Sequence, residues 1–291
     1  MAIVTIITPT YNRANTLENL YKSLLNQTNT NFEWLIVDDG STDETESVIS
    51  SFIKENKIKI RFVKKPNGGK HTAVNYGVKF IDTPLTMIVD SDDKLLENAV
   101  AEIEKTYKKY KGNNKVGSFT FLKVYSNGES VVPIEEDEFV ANYITYRIKG
   151  SRPGDMAEVF KTCVLKEYPF PEFENERFLS EDVCWIEIAK KYDTVFVNKA
   201  VYECEYLEGG LTANDKPMKF ASPLGSMMRG KQLMSKECGL KVNIKGAIIY
   251  NCYKKSVKSD IPDSLRLKGI NKLIQIITLP FGFIFFKKWN R

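Results

Sequence analysis

Histidine is nearly absent from this sequence, which contains only His71 among 291 residues. A Ser-His-Asp triad needs a histidine beside its nucleophile, and histidine-rich metal sites need several. The single histidine therefore excludes both kinds of chemistry within this chain. We expect His71 to be a surface group at the start of a helix, without a catalytic role.

Cysteine is also sparse, and no pair of cysteines has the Cys-x-x-Cys spacing. The five cysteines are Cys163, Cys184, Cys204, Cys238 and Cys252. An odd number without paired spacing argues against a disulfide framework and a structural zinc site, and it favours a reducing cytosol. The first eight residues lack the basic segment and the length of a secretory signal, so we expect them to form a strand.

No uninterrupted hydrophobic run reaches the roughly 20 residues that a spanning helix needs. The most apolar stretch, residues 270–286, contains Pro280 and Gly282 and is followed by two lysines and Trp289. Basic residues and a tryptophan at the end of an apolar segment are typical of an interfacial anchor. We therefore predict a peripheral, monotopic protein on the cytoplasmic face of the cell membrane. The alternative is a helix that packs on the protein's own core.

The overall composition suits a folded protein with a large core, since 43% of the residues are hydrophobic and 27% are charged. The net charge is +5, but the segment from Lys216 onward is clearly basic. A basic segment suits an anionic membrane or a nucleic acid. Its aromatic residues form an apolar block and do not alternate with Lys and Arg, so we expect no nucleic-acid partner.

Strand-like and helix-like segments alternate through the first 115 residues. The predicted strands cover residues 3–8, 32–37, 58–63 and 84–89. Capping boxes that begin at Asn15 and Ser41 predict the starts of the first two helices. This alternation predicts βαβ units and a parallel sheet. After residue 115 we predict a hairpin turn at 126–128, strands at 156–160 and 194–203, and a helix near 183–192.

The pattern as a whole predicts an α/β fold with a mixed, mainly parallel sheet flanked by helices, followed by a helical extension. The predicted sheet domain covers residues 1–210, with a nucleotide-binding half at 1–115 and a mixed half at 116–210, which becomes the acceptor-binding half under the family resemblance given below. The basic and apolar extension covers residues 211–291.

Three aspartates, Asp90, Asp92 and Asp93, follow the fourth predicted strand and surround Ser91. Open α/β sheets bind their ligands at this end of their strands. Three like charges repel one another, and a hard cation such as Mg²⁺ or Mn²⁺ removes that cost when one or two carboxylates and substrate phosphates hold it. The alternative is a solvated turn whose acids cap a helix beginning near Lys94.

Polar groups also follow the first and second predicted strands. The ring of Tyr11 can stack on a nucleobase, and the carboxylate of Asp39 can accept an imide N–H from it. The alternatives are turn chemistry for Asp38 and Asp39 and a partly buried packing role for Tyr11. Three strand ends, those of the first, second and fourth predicted strands, therefore carry groups that can bind a ligand.

These segments, taken in order, resemble the family 2 glycosyltransferases of GT-A fold. The resemblance rests on residues 5–13, 35–43 and 90–93 and extends over roughly residues 1–210. It implies a nucleotide-diphosphate-sugar donor, usually a UDP-sugar, a Mn²⁺ or Mg²⁺ cofactor, and inversion at the anomeric carbon. It also implies a glycan or lipid-linked saccharide acceptor, in the synthesis of a cell-surface polysaccharide such as a capsule.

The resemblance also implies roles for single residues. It places Tyr11 and Asp39 on the base and the acids after the fourth strand on the ribose and the metal. Either Asp92 or Asp93 is the principal metal ligand, and we favour Asp92. The residues expected to bind the nucleotide sugar are Thr8, Pro9, Tyr11, Asp39, Lys70, Asp90 and Ser91.

A glycine pair before Lys70 marks a further candidate anion site. Two glycines let the backbone approach a ligand, the start of a helix favours anions, and Lys70 adds a positive charge. The stretch resembles the family's G-G-x-x-x-A-x-N-x-G segment. The alternative is a glycine turn beside a surface lysine.

Ser180, Glu181 and Asp182 open the helix predicted near residue 183. Their local interpretation is a serine N-cap followed by two acids that favour the helix dipole. The resemblance makes Asp182 the general base of the reaction, with Glu181 as the fallback.

Two other functions stay open. A sugar-nucleotide pyrophosphorylase also combines an α/β domain with Mg²⁺, but it normally has a glycine-rich loop after the first strand, and residues 9–13 contain no glycine. The second is an inactive nucleotide-sugar-binding module, against which the intact Asp90, Asp92 and Asp182 speak.

Overall fold

A nine-stranded sheet forms the centre of the fold. The computed structural model describes residues 2–204, 215–258 and 260–289. The strands are β1 (Val4–Thr10), β2 (Phe32–Asp38), β3 (Ile60–Lys64), β4 (Leu85–Ile88), β5 (Lys94–Leu95), β6 (Val116–Tyr125), β7 (Glu138–Ala141), β8 (Ala157–Lys161) and β9 (Asp193–Cys204).

Helices separate most strands along the first part of the chain and make up most of the described residues after β9. The α-helices are α1 (Leu17–Leu25), α2 (Thr45–Glu55), α3 (Lys70–Val78), α4 (Ala99–Tyr110), α5 (Thr162–Glu167), α6 (Asp182–Ala189), α7 (Asp215–Ala221), α8 (Pro223–Leu233), α9 (Leu240–Lys254), α10 (Gly269–Ile277) and α11 (Leu279–Trp289). A π-helix covers Ile144–Lys149, and 3-10 turns cover Lys236–Cys238 and Asp263–Leu265.

The sheet is mixed, and its strand order is β3-β2-β1-β4-β8-β6-β9-β5, with β7 paired to β9. The four pairings β1–β2, β1–β4, β2–β3 and β6–β9 are parallel. The four pairings β4–β8, β6–β8, β5–β9 and β7–β9 are antiparallel. The predicted mixed α/β fold is confirmed. Strand order reverses between β1 and β4, which is where open α/β sheets place their ligands.

The central strands are buried along their whole length because both faces of the sheet are covered. Every residue of β1 and β2 is buried, as expected for parallel strands between two helical layers. Ile6 belongs to the core that includes residues of α1, α2 and α4. Ile7 points the other way, where a Cβ added to Gly77 of α3 would lie 2.6 Å from its side chain.

Both predicted capping boxes are wrong. Helix α1 begins at Leu17 with Thr16 as its N-cap residue, and α2 begins at Thr45, and neither N-cap residue makes a side-chain hydrogen bond to its helix. Ser41, the expected cap of α2, instead accepts the backbone N–H of Asn12 at 2.9 Å. The polar residues that resemble helix caps therefore join two loops.

The chain divides into two compact units, each discontinuous in sequence. The sheet unit consists of Met1–Asn142, Pro153–Pro169 and Lys191–Tyr206. The helical unit consists of Tyr143–Arg152, Phe170–Lys190 and Leu207–Arg291. The boundary predicted at residue 210 falls among residues 205–214, outside the described residues, so the division at that point stays a prediction.

The helical unit is built around the close contact of α8 with α9. A Cβ added to Gly230 of α8 would lie 2.8 Å from the carbonyl oxygen of Gly246 of α9, so the two backbones approach where neither has a side chain. A small apolar cluster of Met234, Ala247 and Ile274 lies in the same unit.

Candidate functional site

The carboxyl ends of β1, β2, β3 and β4 are neighbours in the sheet, so the loops after them share one rim of the sheet unit. Tyr11, Asp39, Lys70 and the four residues 90–93 all follow these strand ends. The structure thus brings the predicted donor-binding residues to the same edge, at the reversal of strand order.

The loop after β1 is fixed by hydrogen bonds to the loop after β2. Asn12 adopts a left-handed backbone conformation, with φ of 53°. Its N–H donates to Ser41 Oγ, and its side-chain oxygen accepts the N–H of Thr42 at 2.9 Å. The N–H of Arg13 donates to Thr45 Oγ1 at 2.9 Å. These bonds place the first loop accurately without using the ring of Tyr11.

Tyr11 is 43% exposed, so it is not the packing ring that the alternative interpretation required. Thr8 and Pro9 differ, because both lie inside β1 and are buried. The hydroxyl of Thr8 accepts the indole N–H of Trp34 at 2.9 Å, inside the core. The Thr8 side chain serves the fold, so only its backbone stays available to a ligand.

Asp39 is held by the loop that precedes α3. Its Oδ1 atom accepts bonds from Lys65 Nζ at 2.7 Å and Gly68 N at 3.0 Å, and its Oδ2 atom accepts Gly69 N at 2.6 Å. A carboxylate offers about four acceptor positions. Three of them are used by the protein, which leaves one for a donor such as an imide N–H.

Buried polar atoms without a hydrogen-bond partner occur on the same rim. Among the described residues they include Thr10 Oγ1 and Asn67 Oδ1, whereas Asp38 Oδ2 has only a long ion-pair contact of 3.6 Å to Lys64 Nζ. Thr10 and Asp38 end β1 and β2, and Asn67 lies against Gly40, where a Cβ would be 2.9 Å from the Asn67 nitrogen. Most buried polar atoms in folded proteins are paired, so such a group marks a place for polar ligand atoms or water.

Lys70 is the first residue of α3 and forms an ion pair with Asp90. Burial alone would raise the pKa of the Asp90 carboxyl, but Lys70 and Lys123 outweigh it and hold that pKa below its ordinary value. The Lys70 side chain keeps 32% of its surface exposed, so its charge stays accessible. The neighbouring His71 is buried, and the expectation that it lies on the surface was wrong.

Asp93 is engaged by two buried residues from distant strands. Its Oδ2 atom lies 3.1 Å from Nζ of Lys123 on β6. The hydroxyl of Tyr202 on β9 donates to the same carboxylate and accepts the N–H of Asp90 at 2.9 Å. Burial opposes a charge on Lys123, but Asp90, Asp93 and Asp155 raise its pKa. The ammonium group therefore stays charged. Burial raises the pKa of the Asp93 carboxyl, and the charge of Lys123 opposes that rise.

The carboxylate of Asp92 is more open than that of Asp93. Its ion-pair contact, to Arg13 Nη2, is long at 3.6 Å, and 23% of its side chain is exposed, against 8% for Asp93. Residues 94 and 95 form β5, and α4 begins only at Ala99. The helix expected near Lys94 does not form, so the three acids are not its caps.

The donor set of this cluster fits a hard cation only if substrate completes the coordination. Among residues 2–204, 215–258 and 260–289, no group of three or more His, Cys, Asp or Glu side chains is arranged to hold a metal ion. Mg²⁺ commonly takes one or two carboxylates together with substrate phosphates. Asp92, with Asp90 beside it, supplies oxygen donors of that kind.

The predicted base lies in the helical unit. Asp182 is the first residue of α6, and Nε of Arg229 on α8 donates to both of its oxygens, at 3.0 and 2.8 Å. The adjacent Glu181 occupies the N-cap position and makes no side-chain cap bond. The carboxylate of Asp182 is thus oriented by a residue from the predicted C-terminal extension.

Sequence patterns did not identify several residues that shape these sites, namely Lys65, Lys123, Tyr202 and Arg229. One signal was available, because Lys123 interrupts the apolar run of β6 and is 8% exposed. A lysine inside a buried strand needs a partner. Nothing local distinguishes Tyr202 or Arg229.

Comparison with known proteins gives a family match. The family described as Glycosyl transferase family 2 matches residues 5–165. A Rickettsia felis protein described as "Uncharacterized glycosyltransferase" is 34% identical over 221 residues, which cover 75% of this chain and 35% of that protein. The chain spans about a third of the length of the first curated relatives that it matches.

Two further proteins are similar over most of the chain. The Campylobacter jejuni protein named GalNAc(5)-diNAcBac-PP-undecaprenol beta-1,3-glucosyltransferase is 27% identical over 209 residues, covering 69% of this chain and 63% of that protein. The crystal structure of S. aureus TarS 1-349 in complex with UDP-GlcNAc has a TM-score of 0.66 and 19% identity. It covers 97% of this chain and 80% of that chain, and it shows that the fold is shared.

Proposed function

This chain belongs to glycosyl transferase family 2, and on that premise we propose that it transfers a sugar from a UDP-sugar to a hydroxyl group with inversion at the anomeric carbon. The proposed acceptor is a glycan or lipid-linked saccharide in cell-surface polysaccharide synthesis. The proposed location is the cytoplasmic face of the cell membrane, reached through the C-terminal helices.

The observation that carries this proposal is the convergence of polar loops at the β1/β4 reversal. Tyr11 offers an exposed ring, Asp39 has one free acceptor position, and Lys70 lies beside Asp90. The UDP-GlcNAc in the TarS complex supports a UDP-sugar donor, and the PP-undecaprenol in the name of the Campylobacter relative supports a lipid-linked acceptor. The family match favours a transferase over a pyrophosphorylase.

On the donor side, each residue acts by binding and orientation. Tyr11 stacks on the base, and Asp39 accepts its imide N–H. Lys70 contributes positive charge beside the diphosphate, and Asp90 contacts the ribose. A divalent cation bound by Asp92 would neutralise charge that develops on the departing diphosphate. Asp93 holds the loop through Lys123 and leaves Asp92 open to the ligand.

On the acceptor side, Asp182 takes the proton of the attacking hydroxyl. Inversion is a single displacement through an oxocarbenium-like transition state, in which the hydroxyl attacks opposite the leaving phosphate. A positioned carboxylate that accepts this proton typically contributes about 10²–10⁴-fold in rate. Arg229 keeps the two Asp182 oxygens in a defined orientation.

The donor assignment is tested by calorimetry of this chain with UDP, UDP-GlcNAc, UDP-glucose and GDP-mannose, each with Mn²⁺ and with EDTA. We expect UDP and one UDP-sugar to bind, both with higher affinity in Mn²⁺ than in EDTA. To test the reaction, the chain is incubated with that UDP-sugar and a mixed glycan acceptor, and hydrolysis or transfer of the sugar is followed by chromatography. Failure of every uridine nucleotide to bind would contradict the proposal.

A further inference from the structure

The two C-terminal helices, α10 and α11, expose a large apolar surface. Their exposed apolar residues are Ile270, Leu273, Ile276, Ile277, Leu279, Phe281, Phe283 and Ile284, and we call this set the apolar face. Ile270 is 67% exposed and Ile277 is 64% exposed. A single exposed isoleucine is ordinary, but a set of this size on two consecutive helices marks an interaction surface.

The opposite side of the same helices is fixed to α9 by buried polar contacts. Asn251 of α9 donates to the carbonyl oxygen of Gln275 at 2.8 Å and to the hydroxyl of Thr278 at 3.1 Å. The Gln275 side chain donates back to Asn251 Oδ1 at 2.6 Å. A Cβ on Gly282 would lie 2.4 Å from Asn251 Cβ, so α11 lies directly against α9. The apolar face is therefore held outward.

The charged residues from Lys268 to Trp289 are all lysines. No acidic residue occurs between Gly269 and Trp289, whereas Lys268, Lys272, Lys287 and Lys288 are exposed. Nζ of Lys255 and Nζ of Lys287 each lie 4.5 Å from the centroid of the Phe283 ring. An apolar surface bordered by lysines matches the boundary between acyl chains and anionic headgroups.

The dimensions of the two helices suit a position in the plane of the membrane. No single helix among the described residues is long and apolar enough to cross a bilayer, and α10 and α11 pass that test only as a pair bent by 60°. The nine residues of α10 and eleven of α11 reach about 14 and 17 Å, against a hydrocarbon core of about 30 Å. A span would also break the buried contacts of Asn251.

We infer that the apolar face docks in the plane of an anionic bilayer, while the buried side of α10 and α11 stays attached to α9. This inference deepens the membrane location in the proposed function. It is independent of the sugar-transfer reaction, because a chain with no transferase activity would still dock.

Flotation of the full chain with vesicles of phosphatidylcholine, alone or mixed with phosphatidylglycerol, tests this inference. We expect binding to the mixed vesicles and little binding to the neutral ones. Ile277→Asp should weaken it by about tenfold or more, because the burial of one isoleucine is lost. Ile53→Asp, at an exposed isoleucine of α2 that is not part of the apolar face, is the matched control and should bind normally.

The lysines are tested by Lys287→Gln with Lys288→Gln, which should lower affinity for anionic vesicles about fivefold per charge. Unchanged thermal unfolding would show that these variants fold. Equal binding of Ile277→Asp and the parent chain to anionic vesicles would overturn the inference. Failure of the parent chain to bind anionic vesicles would also overturn it, and a lipid-free dimer that Ile277→Asp dissociates would then show that a second copy covers the face.

The depth of insertion distinguishes docking from spanning. Trp34 and Trp185 are buried, whereas Trp289 is partly exposed at the end of α11. Lipids brominated near the headgroup should quench the accessible tryptophan fluorescence more than lipids brominated near the chain ends. Stronger quenching by the deep label would overturn the in-plane geometry.

Discussion

Lys123 and Asp93 form a buried ion pair, with 3.1 Å between Nζ and Oδ2. Lys123 lies on β6, and Asp93 lies in the loop between β4 and β5. Lys123 Nζ also lies 4.3 Å from the centroid of the Tyr202 ring. This pairing divides the acidic cluster into two parts. Asp93 fixes the loop to β6 and β9, and Asp92 keeps its carboxylate open.

The first prediction concerns this buried pair. Lys123→Met should lower the free energy of unfolding by about 3–5 kcal/mol, because the Asp93 charge is left buried without its partner. Adding Asp93→Asn should recover part of the loss, since the unpaired charge is then removed. Urea unfolding of both variants measures the difference. An unchanged unfolding midpoint for Lys123→Met would show that the pair does not stabilise the fold.

The second prediction separates the two candidate metal ligands. Asp92→Asn should remove the increase in UDP affinity that Mn²⁺ produces, while the unfolding free energy changes by less than about 1 kcal/mol. Asp93→Asn should keep the Mn²⁺ effect on UDP affinity but lower the free energy of unfolding, because the Asp93 carboxylate holds Lys123. Calorimetry with and without EDTA reads the first effect, and urea unfolding reads the second. A full Mn²⁺ effect in Asp92→Asn would exclude it as the ligand.

The positions of the donor-site loops could be predicted because strand ends are local signals. The predicted strands that end at residues 8, 37 and 89 mark the loops, and parallel pairing brings those loops to one rim. The predicted capping boxes at Asn15 and Ser41 do not form, because such polar residues have other possible partners. Ser41 can cap a helix or bond to another loop, and the bond to Asn12 depends on the β1–β2 register.

The support of Asp93 could not be predicted because it depends on pairings between distant segments. Lys123 and Tyr202 become neighbours through the β6–β9 register, in which Lys123 pairs with Tyr202 itself. That register has several shifts, so neither hydrophobic pattern alone specifies it. The contact of Arg229 with Asp182 likewise joins α8 to α6 across segments without a shared motif.

The third prediction concerns base recognition. Tyr11→Ala should weaken UDP binding by about 1–3 kcal/mol, since stacking of a base on an aromatic ring has that magnitude. Thermal stability should stay close to that of the parent chain, because the ring is 43% exposed. Tyr11→Phe keeps the ring and is expected to bind UDP normally. Equal affinities of the Ala and Phe variants would show that Tyr11 does not stack on the base.

The fourth prediction follows from the lowered pKa of Asp90. Burial alone would raise this pKa, but Lys70 and Lys123 together lower it, so the folded protein releases this proton more readily than the unfolded chain. The stabilisation is present above the ordinary aspartate range and is lost as the pH falls through the folded pKa. The stability difference between the parent chain and Asp90→Asn should therefore shrink towards about pH 3.

Urea unfolding at several pH values measures that difference. Asp137→Asn, at an exposed aspartate before β7, serves as the control and is expected to give a small, constant difference. A difference for Asp90→Asn that stays constant down to about pH 3 would mean that the carboxyl gains nothing from Lys70.

The last prediction separates the chemistry of Asp182 from its structural contact with Arg229. Asp182→Asn keeps the size of the side chain and can still accept a bond from Arg229, but it cannot take a proton. Transfer should fall by about 10²–10⁴-fold, while UDP affinity stays within a few-fold. Glu181→Gln, at the fallback candidate for the base, should retain most activity if Asp182 takes the proton. Arg229→Lys should lower kcat and leave the donor KM unchanged, because only the orientation of the base is disturbed. If Asp182→Asn loses UDP binding together with activity, the carboxylate supports the fold and another group accepts the proton.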